Sequence, residues 1–214
     1  MPGVPSQDVF QLFGDALTYA KTVWMRLTFP FAGFGRGVSI HHSCEVGRHV
    51  SNRMRIGDRV FMGAYARLNV TDVAAGGPPV IRLDSGCKIG RGCLISAKNL
   101  VQLEEDVLLG PNVLITDHSH EFSDVEVPIH AQGINAGGTV ILERNSWLGQ
   151  GAVIVCTSGT LVVGRNCVVG ANSVVTRSVP PFSVVAGNPA KVIKRFDPEA
   201  GKWVGVSDAL TKAR

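Results

Sequence analysis

The sequence predicts an all-β chain of short parallel strands wound into stacked coils. One amphipathic helix precedes them and a short C-terminal segment follows. Three observations carry this expectation. From Val38 onward, aliphatic residues recur every six positions. The composition, 45% hydrophobic with 25 glycines and only 18% charged residues, suits buried backbone with many tight corners rather than disorder. The repeat is also interrupted, and its longer interruption holds three of the six histidines, His118, His120 and His130. A chain of 214 residues has room for one domain with a sizeable core. The expected division is a helix and linker over 1–37, the β-helix over 38–180 with an excursion at 118–139, and a closing segment over 181–214.

Residues 6–27 read as the helix, with Ser6 as its N-cap. Val9, Phe13, Ala16, Ala20, Val23 and Leu27 recur at spacings of three or four, which paints one apolar stripe. Phe10, Leu17 and Trp24 widen it. The expected place for this stripe is the body of the protein or a neighbouring subunit. Trp24, Phe29 and Phe31 beside Arg26 and Arg36 also admit a peripheral contact with a membrane surface. Pro30 and the glycines Gly33, Gly35 and Gly37 end the helical region.

The period of six has a direct physical reading. Ile56-Gly57 is followed four positions after its aliphatic residue by Val60, Ile89-Gly90 by Cys93, Leu148-Gly149 by Ala152, and Val169-Gly170 by Ser173. Self-similarity at this short period marks a solenoid. Three hexads make a triangular coil, each hexad a strand plus a corner. The aliphatic residue points into a narrow interior. The glycine after it is expected to supply positive φ at the turn. The slot four positions on must be small. Stacked coils then pair as parallel strands.

The same register places the cysteines. Cys87, Cys93 and Cys167 fall in the small inward slot, as does Cys44 if Ile40 opens a hexad; Cys156 lies off it. Five cysteines without C-x-x-C spacing speak against a disulfide framework and a zinc site, and the slot positions read as small hydrophobes. Net charge is +4, which favours an anionic ligand but falls short of a nucleic-acid footprint. With no signal-peptide pattern and no apolar run of about 18 residues, a cytoplasmic location is expected, with the inner face of the membrane as the place of any peripheral contact.

Residues 71–79 form a short interruption and residues 118–139 a longer one, rich in His, acidic residues and Gly. Loops expelled from a rigid scaffold are where function concentrates. The repeat is clearest afterwards, up to Val175, and Pro180-Pro181 ends it. Residues 197–214 look like a polar tail with one apolar anchor, Trp203.

The ordered series Asn145-Ser146-Trp147-Leu148-Gly149, Val169-Gly170-Ala171-Asn172-Ser173, Val179-Pro180-Pro181 and Gly187-Asn188-Pro189-Ala190-Lys191 resembles the hexapeptide-repeat acyltransferases over roughly residues 38–196. The resemblance implies a left-handed parallel β-helix, although ordinary parallel crossovers are right-handed, and assembly as a homotrimer. The stretch Asp117-His118-Ser119-His120-Glu121-Phe122 is most similar to sugar O-acetyltransferases that build surface polysaccharides. The implied reaction is direct transfer of acetyl from acetyl-CoA to a carbohydrate hydroxyl, with no acyl-enzyme and no metal.

A sugar hydroxyl needs a base as it attacks a thioester, and histidine suits that task. The family's catalytic histidine falls on His118. His120 competes, since side chains two apart on an extended segment share a side. Asp117, Glu121, Asp124 and Glu126 are all candidates to orient the imidazole. By the same resemblance Asn99 would hold the acceptor hydroxyl, with a corner asparagine of left-handed φ as the plain alternative, and His130 would approach the sugar. Trp147 and Gln150 would lie near the thiol end of acetyl-CoA and Ala171 along its arm. Thr176, Arg177, Lys191 and Lys194 would meet the phosphates. His41, His42 and His49 read as surface residues.

Three other readings were open. A zinc carbonic anhydrase on this scaffold needs three interfacial histidines, and His118, His120 and His130 have the wrong spacing for them. A non-catalytic binding module fits the fold but leaves His118 and the basic C-terminal set unused. A xenobiotic acetyltransferase would share the chemistry. Serine acetyltransferases carry a larger N-terminal helical domain.

Overall fold

The computed structural model describes residues 9–71 and 77–206. The Ser6 cap and the end of the tail lie outside the described residues. The strands form three sheets, two of six strands and one of nine. Six coils visit the three faces in turn. The first face runs from Gly33–Phe34 to Thr160–Val163, the second from Ser39–Ile40 through Val168–Val169, and the third from Glu45–Val46 to Val174–Val175. All pairing between coils is parallel, in register such as Leu83↔Leu103 and Leu142↔Val163. An uninterrupted coil thus takes 20 or 21 residues, more than three hexads, and the surplus sits at the corner between the third face and the next coil's first face.

The inward columns hold the expected residues. Ile40, Met62, Ile89, Leu109, Leu148 and Val169 stack along the second face, all at most 1% exposed. The small slot holds Cys44, Ala66, Cys93, Val113, Ala152 and Ser173 at one corner and Val60, Cys87, Val107, Ser146 and Cys167 at another, all buried. Cys156 is buried too, on the third face one step past Val155.

The glycine after each aliphatic residue has a different role from the one expected. Positive φ falls two residues later, on Gly92 (68°), Asn112 (57°) and Gly151 (66°). The glycine itself permits close stacking of coils. A Cβ on Gly90 would lie 2.6 Å from the Gly110 carbonyl carbon, and one on Gly110 2.8 Å from the Gln150 nitrogen.

The N-terminal helix α1 spans Val9–Thr28, and its apolar stripe does not pack on the body of its own chain, one of the two places expected for it. The face against the β-helix is its polar one. Thr22 is 8% exposed and Met25 0%, whereas Phe13 is 66%, Trp24 53% and Leu27 77% exposed. The reason is hydrogen bonding. The first coil has no coil before it, so its backbone groups need other partners. Thr22 Oγ1 accepts from Ile40 N–H at 3.0 Å, and its own proton is shared between Thr18 O at 2.8 Å and Ile40 O at 3.2 Å. Lys21 Nζ donates to the carbonyls of His42 (2.8 Å) and Cys44 (2.5 Å). Side-chain donors and acceptors thus close this end, and the apolar stripe is left facing away.

At the other end Ser183–Gly187 still pairs parallel with Val168–Val169, but the chain then reverses. Ala190–Asp197 and Lys202–Gly205 add as antiparallel strands. The segment expected as a polar tail is therefore a strand pair as far as Gly205. Its Trp203 packs edge-on against Phe196 at 5.6 Å between ring centroids.

Candidate active site

Every interruption of the coils leaves through the same corner, between the third face and the first. The 3-10 helix Arg48–Arg53 follows Glu45–Val46, the 71–79 insertion follows Arg67–Val70, and the long excursion follows Leu114–Thr116. The third coil contributes a smaller irregularity there. Lys98 and Asn99 are extra residues between Leu94–Ala97 and Leu100–Leu103, and they turn consecutive backbone N–H groups toward the next coil.

Asp117 takes them. Its side chain is fully buried. Oδ1 accepts from Lys98 N–H at 2.8 Å, and Oδ2 accepts from Asn99 and Leu100 N–H, each at 2.8 Å. Such a nest of amides holds a carboxylate well. The remaining acceptor capacity of Oδ1 meets His118 Nδ1 at 2.8 Å. A carboxylate can only accept, so Nδ1 carries the ring proton and Nε2 presents a lone pair. That lone pair receives Thr71 Oγ1–H at 2.9 Å. The His118 side chain is 11% exposed.

The excursion returns where it left. Gly138 N–H donates to Asp117 O at 2.6 Å. Gly137 has φ of 76°, and a Cβ there would lie 2.9 Å from Asp117 O and 3.5 Å from His118 Cβ. His120 and Ile134 form an antiparallel bridge across the neck. His120 Nδ1 faces Gly133 O at 3.3 Å on the exposed side. The other three acidic candidates act elsewhere. Glu121 Oε1 accepts from Phe122 and Ser123 N–H, and these bonds hold its carboxyl below the usual range. Asp124 Oδ1 accepts from Glu126 N–H, and Glu126 is exposed on the outer loop. Of the four, only Asp117 meets the His118 ring.

Asn99 is exposed and donates its side-chain amide to Ala136 O at 2.9 Å, a bond that ties the excursion to the coil. His130 lies on the exposed 3-10 turn Ile129–Ala131. His41 is half-buried, while His42 and His49 are exposed. The residues expected around acetyl-CoA are spread along the prism. Trp147 faces outward on the second face, 49% exposed. Gln150 and Ala171 stack at the second–third corner, where Asn172 N–H donates to Gln150 O at 2.8 Å. Thr176 and Arg177 follow the last third-face strand, and Lys191 and Lys194 lie exposed on Ala190–Asp197. Thr176 and Arg177 share the third–first corner with His118, two coils further on, whereas Trp147, Gln150, Ala171, Lys191 and Lys194 lie on the second face or at its corner with the third. Thr71 carried no sequence signal beyond membership of an interruption. Only the strand register Val70↔Ala97 and Thr116↔Ser96 aligns Thr71, Lys98 and His118 in one column.

The fold is that of a solenoid acyltransferase. A sequence model described as the hexapeptide repeat of succinyl-transferase matches residues 139–177. An Escherichia coli protein provisionally named as the lipopolysaccharide-biosynthesis O-acetyl transferase WbbJ is 33% identical over 143 residues, covering 58% of this chain and 69% of that one. An acetyltransferase, again by provisional name, of Mycobacterium tuberculosis is 27% identical over 187 residues, 82% of this chain but 57% of its own length. Among solved structures, the Bacillus cereus N-acyltransferase AntD, crystallised with dTDP and 3-hydroxybutyryl-CoA, superposes with a TM-score of 0.68 at 16% identity, covering 92% of this chain and 97% of that one. The chain belongs to the hexapeptide-repeat acyltransferases, built on a left-handed parallel β-helix. Among the described residues no cluster of three or more His, Cys, Asp or Glu side chains is arranged to hold a metal ion.

Proposed function

We propose that the chain is an acetyl-CoA-dependent O-acetyltransferase acting on a sugar or glycan hydroxyl, with His118 as general base. The observation that carries this reading is the Asp117–His118–Thr71 chain of hydrogen bonds. It fixes the tautomer and leaves Nε2 bonded to a hydroxyl, the kind of group an acceptor sugar presents. In the reaction an acceptor hydroxyl takes the place of Thr71 Oγ1. Its proton passes to Nε2 as its oxygen attacks the thioester carbonyl. The tetrahedral intermediate collapses, the carbon–sulfur bond breaks, and the departing sulfur takes the proton back from His118. Asp117 stabilises the imidazolium without becoming protonated, as a buried carboxylate does in hydrolase triads. Asn99, bonded to Ala136 O, and His130, on the excursion's exposed turn, would meet the acceptor sugar.

The acyl donor would run along the second–third corner past Trp147, Gln150 and Ala171, with its phosphates near Thr176, Arg177, Lys191 and Lys194. Since Trp147, Gln150, Ala171, Lys191 and Lys194 sit away from the corner of His118 in one chain, a donor passing along them would meet the His118 of a second subunit, in keeping with a homotrimer. The similarity to the Escherichia coli relative named for lipopolysaccharide biosynthesis supports a glycan acceptor.

The test is thermal stability with and without acetyl-CoA, followed by thiol release with candidate glycans. A donor present at 100 times its Kd should stabilise both wild type and His118→Ala by about 2.7 kcal/mol. Turnover should fall about 10²- to 10⁴-fold in His118→Ala and stay near wild type in His120→Ala. A His118→Ala enzyme with full turnover, or an active monomer, would overturn the reading.

A further inference from the structure

Among the described residues, the outward side of α1 has no partner. At about 100° per residue, Tyr19, Leu12, Val23, Ala16, Leu27, Ala20, Phe13, Trp24 and Leu17 follow one another around an arc of roughly 160°. No charged residue interrupts it. Asp15 and Arg26 lie beyond one margin. The bonded face of Thr18, Lys21, Thr22 and Met25 lies opposite. The apolar surface continues past the helix end through Phe29, Pro30 and Phe31, with Trp24 edge-on to Phe29 at 5.0 Å. There Leu27, Thr28, Phe29 and Pro30 line a groove of about 660 Å³ with Arg48 and His49 at its rim.

Charge is segregated to the same end. Residues 9–71 contain eight Lys and Arg against three Asp and Glu, a net of +5, while residues 77–206 contain eleven of each and balance. Arg26 and Arg48 are tied to this end by bonds to Gly35 O (3.5 Å) and Thr28 O (3.0 Å), and both remain exposed, as does Arg36.

We propose that this end of the molecule docks on an anionic lipid bilayer, with α1 lying flat in the headgroup–acyl boundary. An arc this wide exceeds the narrow seam by which two helices of a coiled coil meet. Tyr19 and Trp24 lie toward its opposite margins, where amphipathic rings suit a wet–apolar boundary. The polar face that an interfacial helix usually turns to water is here used to close the β-helix, so the first coils supply the cations that face lipid phosphates. Charge also selects the occupant. A second copy set face to face through this end would set one positively charged end against another, whereas an anionic surface neutralises it. No helix among the described residues is long and apolar enough to cross a membrane, which agrees with a helix that lies on one.

The experiment is flotation of the full chain with vesicles of phosphatidylcholine alone and of phosphatidylcholine mixed with phosphatidylglycerol. Wild type should float with the anionic vesicles only, less so as salt is raised. The exposed pair Leu17→Glu/Leu27→Glu should keep its melting temperature and lose at least about tenfold in partitioning. His118→Ala should float as wild type does, which separates this docking from the catalytic reading. Three results would overturn the proposal: no flotation, equal flotation with neutral vesicles, or flotation untouched by the glutamates. If the glutamate pair instead yields a smaller species on gel filtration with unchanged flotation, a second copy covers the stripe and the bilayer does not.

Discussion

At the scale of single residues, the corner around His118 depends on Asp117 having four donors for its oxygens. Asp117→Asn keeps the shape but turns an N–H₂ toward backbone N–H groups. Each buried donor left without an acceptor costs about 1–3 kcal/mol, and a chain of this size loses roughly 2–4 °C of Tm per kcal/mol. The expected outcome is a melting temperature lower by about 2–12 °C, with activity lost beyond what the remaining folded fraction explains. Calorimetry and thiol release measured on the same samples decide it. Thr71 makes a subtler case. Its hydroxyl holds the lone pair that an acceptor must reach, so Thr71→Val removes a competitor. The acceptor KM should fall about two- to tenfold, the worth of one neutral hydrogen bond, while Thr71→Ser behaves as wild type. A large loss of kcat in Thr71→Val would mean that the hydroxyl takes part in proton transfer.

Among the elements, α1 shows what periodicity tells and what it does not. The pattern of Phe13, Ala16, Ala20 and Leu27 identified a helix and an apolar face, and the helix is there. It did not say what that face meets, because the first coil's open backbone attracts hydrogen-bonding side chains more strongly than apolar ones. Thr22 is therefore the anchor. Thr22→Val leaves the buried Ile40 N–H without its acceptor and should destabilise by about 1–3 kcal/mol. Trp24→Gln on the far side should leave denaturant unfolding unchanged in water. Equal destabilisation by both would contradict the orientation of the helix. The strands were legible for a related reason. An interior of fixed width forces Ile89, Leu109 and Leu148 into one column and small residues into the corners. The Asp117–His118–Thr71 chain was only partly legible, since His118 stands out in a local motif whereas Thr71 reaches it across two coils whose lengths differ.

Across the whole molecule, the narrow interior governs cysteine chemistry. Burial pushes the Cys87 thiol up to about 12 and raises Cys44, Cys93 and Cys167 as well. At pH 8 a thiol with a pKa near 12 is ionised about once in ten thousand molecules. Native protein should therefore resist iodoacetamide at these four positions and react after unfolding, which mass spectrometry of modified peptides can follow. Linkage gives the matching pH dependence. A thiol raised above its unfolded value near 9.0 binds more protons folded than unfolded, so its contribution is complete below about pH 9 and declines as pH rises further. The melting temperature should drop on the alkaline side for this reason.

The reversal of strand direction after Gly187 bears on a hazard of every stacked parallel sheet, whose last coil offers a template for the first coil of another molecule. An antiparallel pair extending the second face at one end and a helix bonded to Ile40, His42 and Cys44 at the other obstruct both templates. The protein is in this respect a polymer with its two growing ends blocked, so damage to either terminus is expected to show itself first as fibrous, end-to-end association and only later as loss of the fold.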